Sequence, residues 1–533
     1  MNKKLLASLL ALGCVAAAQA ANVPKNVQLH PVQEMNRSNG SEPETLDPAV
    51  AESVPAHNIT RDLFEGLTAF DGEGKIIPGV AESWKRVDDT TWVFKLRKNA
   101  KFSNGAPVTA EDFVWSWRRL FDPKTAAPYA STFGMFIQGA LEASQGKAAL
   151  DKVGVRAIDA STLEVKTNGL VAFLPDLLSN DNFAPVHRAT VEKHGKDWVK
   201  PGNIVTNGAY VVKDWKVNSK ITAEKNPNYW DAKNVVITKV NYLPIESQEA
   251  DFKLFQSGET DWTYEIAPNS YAKLKTEYPK ELRNGLLLGL RYYGYNVQDP
   301  LLKDVRVRKA LSMVLDRDIL ANKVTADGQT PAYSVVVQGV SGAKPSTYDW
   351  VKWPMAKRVE EGKKLLAQAG VKPGTKLNFI YNTNEFHKKM AIWAAAEWKS
   401  KLGLDVQMEN MEFKVLLKKR HDGEYQIARN GWYADYNDAT TFTQLVQCDS
   451  EQNDTKYCNR KAEELFKQAS VTADAAKREQ LLSEGAKMTM EEYPMIPLLQ
   501  YVSSRLVKSY VGGYEVKNPL DRRRTQNFYI IKH

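Results

Sequence analysis

Past residue 20, nothing in this 533-residue chain is apolar for long enough to cross a bilayer, and no repeat period divides it. A spanning helix needs about 20 consecutive apolar residues, and a single hydrophobic core stops growing at roughly 250–300 residues. A chain of this length must therefore fold as several lobes. The first twenty residues read as a secretion signal. Met1-Asn2-Lys3-Lys4 is basic, Leu5 to Gly13 is apolar and uncharged, and Ala18-Gln19-Ala20 fits the small-residue rule for cleavage. The apolar run is too short for a membrane anchor. Cys14 after Leu12-Gly13 offers lipid attachment, but Ala11 stands where a larger aliphatic residue is usual, so a soluble product of residues 21–533 is favoured.

Composition suits a soluble globular protein, with 43% hydrophobic and 25% charged residues. Losing Lys3 and Lys4 lowers the formal charge from +9 to +7. The basic residues are scattered among acids, and export removes most nucleic-acid partners, so nucleic-acid binding is not expected. The one dense basic run, Asp521-Arg522-Arg523-Arg524, reads as a solvated turn before a closing strand. Cys448 and Cys458 are the two cysteines beyond the signal, close together in a polar stretch. In an oxidising compartment such a pair favours a local disulfide over two free thiols. No further Cys or His lies nearby to complete a metal site.

Strands and helices alternate throughout, which indicates an α/β protein. Trp92, Phe94 and Leu96 alternate with charged residues as in a half-buried strand. Thr109-Ala110-Glu111-Asp112 starts a helix of capping-box type. Helical spacing extends over 307–320 and 353–369, and a buried strand at 378–382 leads into a helix from 387 to 402. Residues 528–533 read as a last strand. Enzyme signatures are missing: there is no H-x-x-x-H pair, no G-x-S-x-G elbow, no phosphate-cradling glycine loop and no dinucleotide fingerprint. A glycosidase-type carboxylate pair stays open, because separation in space is not readable from sequence.

Four ordered segments carry a resemblance. They are Glu44-Thr45-Leu46-Asp47-Pro48 with Arg61 to Leu67; Pro78 to Trp84 leading to Asn104 through Phe113; Asn207-Gly208-Ala209-Tyr210 with Asn226 to Asp231; and Arg306 to Leu311 ending in Asp316-Arg317. In this order, across essentially the whole mature chain, they resemble the extracellular solute-binding proteins of peptide ABC importers. The stretches 420–437 and 529–533 are most similar to the oligopeptide- and murein-peptide-binding subgroup. The resemblance implies a two-lobed periplasmic binding protein with an extra subdomain, enclosing its ligand between the lobes. Lobe I would combine 21–64, 189–288 and 503–533, the extra subdomain would be 65–188, and the other lobe 289–502. It also implies a monomer in the periplasm, without cofactor or catalysis, that passes short peptides to inner-membrane permease subunits.

Site residues follow from the same resemblance. A peptide of arbitrary sequence offers a backbone and two charged ends, and its backbone can be held as an added strand. The implied edges are Glu52-Ser53-Val54 and Gly431-Trp432-Tyr433. Asp435 matches the carboxylate that meets the ligand ammonium, since a buried unpaired charge is costly. Arg429, Arg420, Lys323 and His387 match the groups that meet the ligand carboxylate, the arginines most strongly because of their bidentate fork. Glu52 could pair with one of those arginines. Tyr129, Trp432 and Phe413 match pocket walls, Phe413 standing where the subgroup usually has Trp. Tyr433 replaces the subgroup's Cys, and Arg291 adds a cation that would favour acidic peptides. Murein peptide, glutathione, haem and nickel complexes remain alternative ligands, and an exported hydrolase is the alternative from another class.

Overall fold

The computed structural model describes residues 21, 23–171, 173–472 and 474–533. The proposed signal segment lies outside these residues. Within them the chain is mixed α/β, with three main sheets. The first runs Glu34–Ser38, Lys239–Leu243, Lys220–Lys225, Tyr210–Lys216, its first pair parallel and the others antiparallel. The second is antiparallel and runs Ala81–Arg86, Thr91–Leu96, Thr162–Lys166, Val155–Asp159. The third has six strands in the order Thr330–Pro331, Met495–Leu506, Leu282–Tyr295, Ile427–Tyr433, Lys376–Asn382, Asp405–Met411.

Local sequence accounts for these elements. Trp92, Phe94 and Leu96 turn into the core from the strand Thr91–Leu96, as their alternation requires. Thr109 caps the helix Ala110–Leu120: its N–H donates to Asp112 Oδ2 at 2.7 Å, and its hydroxyl donates to the same oxygen at 2.8 Å. Asn384 caps Glu385–Leu402, which starts two residues ahead of the expected His387. The helical spacing at 307–320 is split: Val305–Met313 ends, and Asp316 caps a new turn, Arg317–Ile319, by accepting from Asp318 N and Ile319 N. The closing strand is only Tyr529–Ile530, paired with Val511–Gly512.

Two long strands, Leu282–Tyr295 and Met495–Leu506, pair with each other and span two parts of the molecule. One end of the pair meets Trp262, which also bridges to Arg37 of the first sheet. Its other end carries Ile427–Tyr433 at the centre of the third sheet. The expected lobe boundaries after residues 288 and 502 both fall inside these strands.

The basic run 522–524 corrects the sequence reading. Arg522, Arg523 and Arg524 are 3%, 4% and 2% exposed, not solvated. Each meets a carboxylate: Arg522 Asp435 at 3.6 Å, Arg523 Asp521 at 2.8 Å, and Arg524 Glu65 at 3.1 Å. Glu65 also accepts from Tyr229 Oη at 2.5 Å and Trp230 Nε1 at 2.6 Å. Burial raises the Glu65 pKa, and Arg524 acts against that shift. Removing one partner of such a pair strands a buried charge. Arg524→Ala should therefore cost about 3–5 kcal/mol, read as a lowered midpoint in urea denaturation.

Candidate functional site

One cavity is lined from all three parts of the molecule. The helix Val54–Leu63 supplies His57, Asn58 and Arg61, the 127–134 region supplies Tyr129, and the third sheet supplies Arg429 and Gly431 to Tyr433. Of the residues that the resemblance implies, Glu52, Val54, Tyr129, His387, Phe413, Arg420, Arg429, Gly431, Trp432, Tyr433 and Asp435 all line it. Lys323 does not: it is exposed on the helical turn Leu320–Thr325, away from the cavity.

Asp435 follows the strand Ile427–Tyr433 and is 6% exposed. Its N–H is fixed by Thr441 Oγ1 at 3.0 Å. Tyr129 Oη and Asn180 Nδ2 each reach Oδ1 at 3.5 Å, and Arg522 stands 3.6 Å from the same oxygen. Oδ2 is buried and accepts no hydrogen bond among the described residues. Burial pushes the Asp435 pKa up, while Arg522, His57 and Arg61 act against it. The carboxylate therefore keeps one oxygen for a further donor, and a cation there would relieve the penalty of its charge.

The cations sort differently from the sequence expectation. Arg420 is consumed by Asp454, with Nε to Oδ2 at 2.8 Å. Among the described residues Glu52 pairs with no arginine; it meets His421 Nε2 at 3.0 Å, while His421 Nδ1 lies 3.1 Å from Asp454. His387 is not a cation. Burial, Arg429 and Arg291 hold its pKa well below the ordinary 6.5. Its Nδ1 lies 2.9 Å from Asn382 Oδ1 and its Nε2 3.3 Å from Arg291 Nη1, which fits a neutral ring donating through Nδ1 and accepting at Nε2. Arg291 is enclosed between the Phe386 and Tyr501 rings, at 4.2 and 4.0 Å, and its charge is met by Glu265 at 3.5 Å. It adds no free cation to the cavity. Arg429 remains: among the described residues it has no carboxylate partner and donates only to Tyr501 Oη at 3.4 Å.

The two implied backbone edges also differ. Glu52 and Ser53 are not a strand; both N–H groups donate to Glu44 Oε1, at 2.8 and 2.9 Å, and Ser53 caps the helix that begins at Val54. The strand Ile427–Tyr433 pairs along its whole length with Leu282–Tyr295 on one side. On the other side Lys376–Asn382 pairs only with Ile427 and Ala428. Residues 429–433 thus present a strand edge to the cavity. Gly431 is required there, since a Cβ would fall 2.3 Å from Tyr501 Oη. Tyr433 packs tilted against Tyr501, ring centroids 4.4 Å apart, with its hydroxyl 3.4 Å from Glu265, so its bulk is directed to that end of the cavity.

Sequence reasoning missed Arg522, His421 and Asp454. His421 had one available signal, its position beside Arg420 in the resembling stretch. Cys448 and Cys458 are bonded.

Burial opposes the charge on His421, but hydrogen bonds to Asp454 and Glu52 outweigh it and push the pKa up to about 10. A pKa raised above the unfolded value gives stabilisation that is complete below about pH 6.5. That stabilisation fades as pH rises through about 10. The urea midpoint should fall between these limits in the wild type, and His421→Gln should flatten that decline.

The family model for bacterial extracellular solute-binding proteins, family 5, matches residues 75–454. The periplasmic oligopeptide-binding protein OppA of Salmonella typhimurium is 45% identical over 100% of this chain and 99% of its own. The structure of Haemophilus influenzae OppA in complex with the peptide RPPGFSPFR is 40% identical, with a TM-score of 0.92 over 95% of this chain and 100% of that one. The Escherichia coli murein tripeptide binding protein MppA is 38% identical, with a TM-score of 0.93 over 95% of this chain and 100% of that one. An unliganded open form of MppA scores 0.66 over 96% and 99%. The lobes therefore sit here as they do in the first MppA structure and not as in its open form. The chain belongs to the bacterial extracellular solute-binding proteins of family 5.

Proposed function

We propose that this chain captures short peptides outside the cytoplasm and delivers them to the permease subunits of an ABC importer, without catalysis. The observation that carries this reading is Asp435, a cavity-lining carboxylate whose buried Oδ2 has no hydrogen-bond donor among the described residues. It is the seat for the ligand ammonium, with Tyr129, Asn180 and Arg522 holding the other oxygen. Arg429, without a carboxylate partner, is the seat for the ligand carboxylate. The strand edge 429–433 between them accepts the peptide backbone as an added strand, whose bonds are indifferent to side chains. Tyr129, Trp432, Phe413 and Tyr433 wall the side-chain space.

The length of this edge bounds the ligand. Asp435 lies six positions after Arg429, and strands rise about 3.3 Å per residue. The two seats thus suit an extended peptide of a few residues, running antiparallel to the edge. The paired strands Leu282–Tyr295 and Met495–Leu506 are the flexing connection about which the lobes part to admit it. Cleavage after Ala20 would release the protein into the periplasm, where its OppA and MppA relatives are named as residing.

Asp435→Asn should weaken a free tripeptide such as trialanine by about 3 kcal/mol, roughly a hundredfold. It should barely change the affinity for the same peptide acetylated at its amino terminus. Isothermal titration of both peptides against both proteins checks this, and equal loss for the two peptides would refute the ammonium seat.

A further inference from the structure

The cavity wall at Tyr129 is held from across the molecule. Tyr129 belongs to the stretch between the helix Ala110–Leu120 and the strand Val155–Asp159, the part built on the second sheet. Opposite it lies a loop that follows the third-sheet strand Ile427–Tyr433 and is closed by the Cys448–Cys458 bond. Three consecutive residues of this loop grip the Tyr129 stretch. Glu451 accepts from Ser131 N at 3.1 Å and from Ser131 Oγ at 2.5 Å. Gln452 Nε2 donates to Pro128 O at 2.9 Å. Ser450 Oγ meets Thr132 Oγ1 at 3.2 Å.

The same loop has a second grip. Asp454 holds His421, which in turn meets the cavity-lining Glu52. Inside the loop, Asn453 Nδ2 donates to Gln447 O and Tyr457 O at 2.9 and 2.7 Å, so the two grips share one braced frame. Glu451 has no cationic partner among the described residues, and its carboxylate is satisfied by Ser131. Two hydrogen bonds to a charged acceptor, made between separate parts of the chain, exist only while those parts are together.

We infer that Glu451, on the disulfide-closed loop 448–458, is a positioning residue that holds Tyr129 against the ligand and sets how fast the closed protein lets it go. The inference rests on the peptide-capture reading for its ligand, but not for the contact itself. Breaking the grip removes contacts formed on closure, so it acts on dissociation and not on encounter.

The test uses full-length mature protein with trialanine, following tryptophan fluorescence in stopped flow. Small-angle scattering of the ligand-free proteins runs alongside. Glu451→Ala should raise the dissociation rate about tenfold or more, leave the association rate and the urea midpoint near wild type, and enlarge the ligand-free radius of gyration. Glu451→Gln keeps the length and one acceptor oxygen and should fall between. Ser131→Ala removes the hydroxyl partner without touching the loop and should shift dissociation in the same direction, which keeps the test decisive if Glu451→Ala folds poorly. Dissociation rates unchanged in both alanine variants would overturn the inference. If wild type does not bind trialanine at all, the peptide reading fails by itself. The radius of gyration then decides: an increase in the variants supports the grip, and equal values overturn it.

Discussion

The structure depends on a buried layer of carboxylates and guanidinium groups beneath the cavity. Asp62, Glu65, Asp181 and Asp435 face Arg37, Arg524, Arg61 and Arg522, each pair within 3.1–3.6 Å. Charges removed from water in this way repay their desolvation only when every partner is in place. Their sequence origins are far apart: Arg524 and Glu65 are separated by 459 residues. The layer therefore forms only after both chain ends and the middle have met. Asp435 is its member at the cavity lining, where Arg522, His57 and Arg61 work against the upward pull of burial on its pKa and one oxygen is left without a donor among the described residues.

Several local features were legible because local rules fix them. The alternation at Trp92, Phe94 and Leu96, the Thr109 capping box, and the bonded Cys448 and Cys458 needed no distant partner to be read. The helix expected over 307–320 failed at a local signal that was present, the capping carboxylate of Asp316. The arginine run 522–524 was misread for a different reason. An arginine is solvated by default, and what these three meet are acids far away in sequence, Glu65 for Arg524 and Asp435 for Arg522, or two residues away but turned inward, as with Asp521 for Arg523.

The cavity shows the same division. Resemblance brought eleven of the twelve expected residues to one space, yet it could not assign their charges. Arg420 and Arg429 are alike in sequence, and only the structure shows Asp454 beside one and no acid beside the other. His387 looked like a cation, but two neighbouring arginines and its burial keep it neutral. Lys323 is a solvated charge, as its residue type alone suggests.

The strand edge at residues 429–433 has a cost as well as a use. Although the Gly431 N–H already donates to Asn430 Oδ1 at 2.8 Å, strand-edge N–H and C=O groups left unpaired will add an extended chain, which is how sheets aggregate. A protein that must bind peptides of unrelated sequence cannot protect such an edge with side chains that exclude partners. Here the protection is spatial: the edge lies within the cavity lining, with Tyr501 packed against Gly431. Enclosure thus limits what can reach the edge by size, so a short peptide can be taken up while the edges of other folded proteins are kept out.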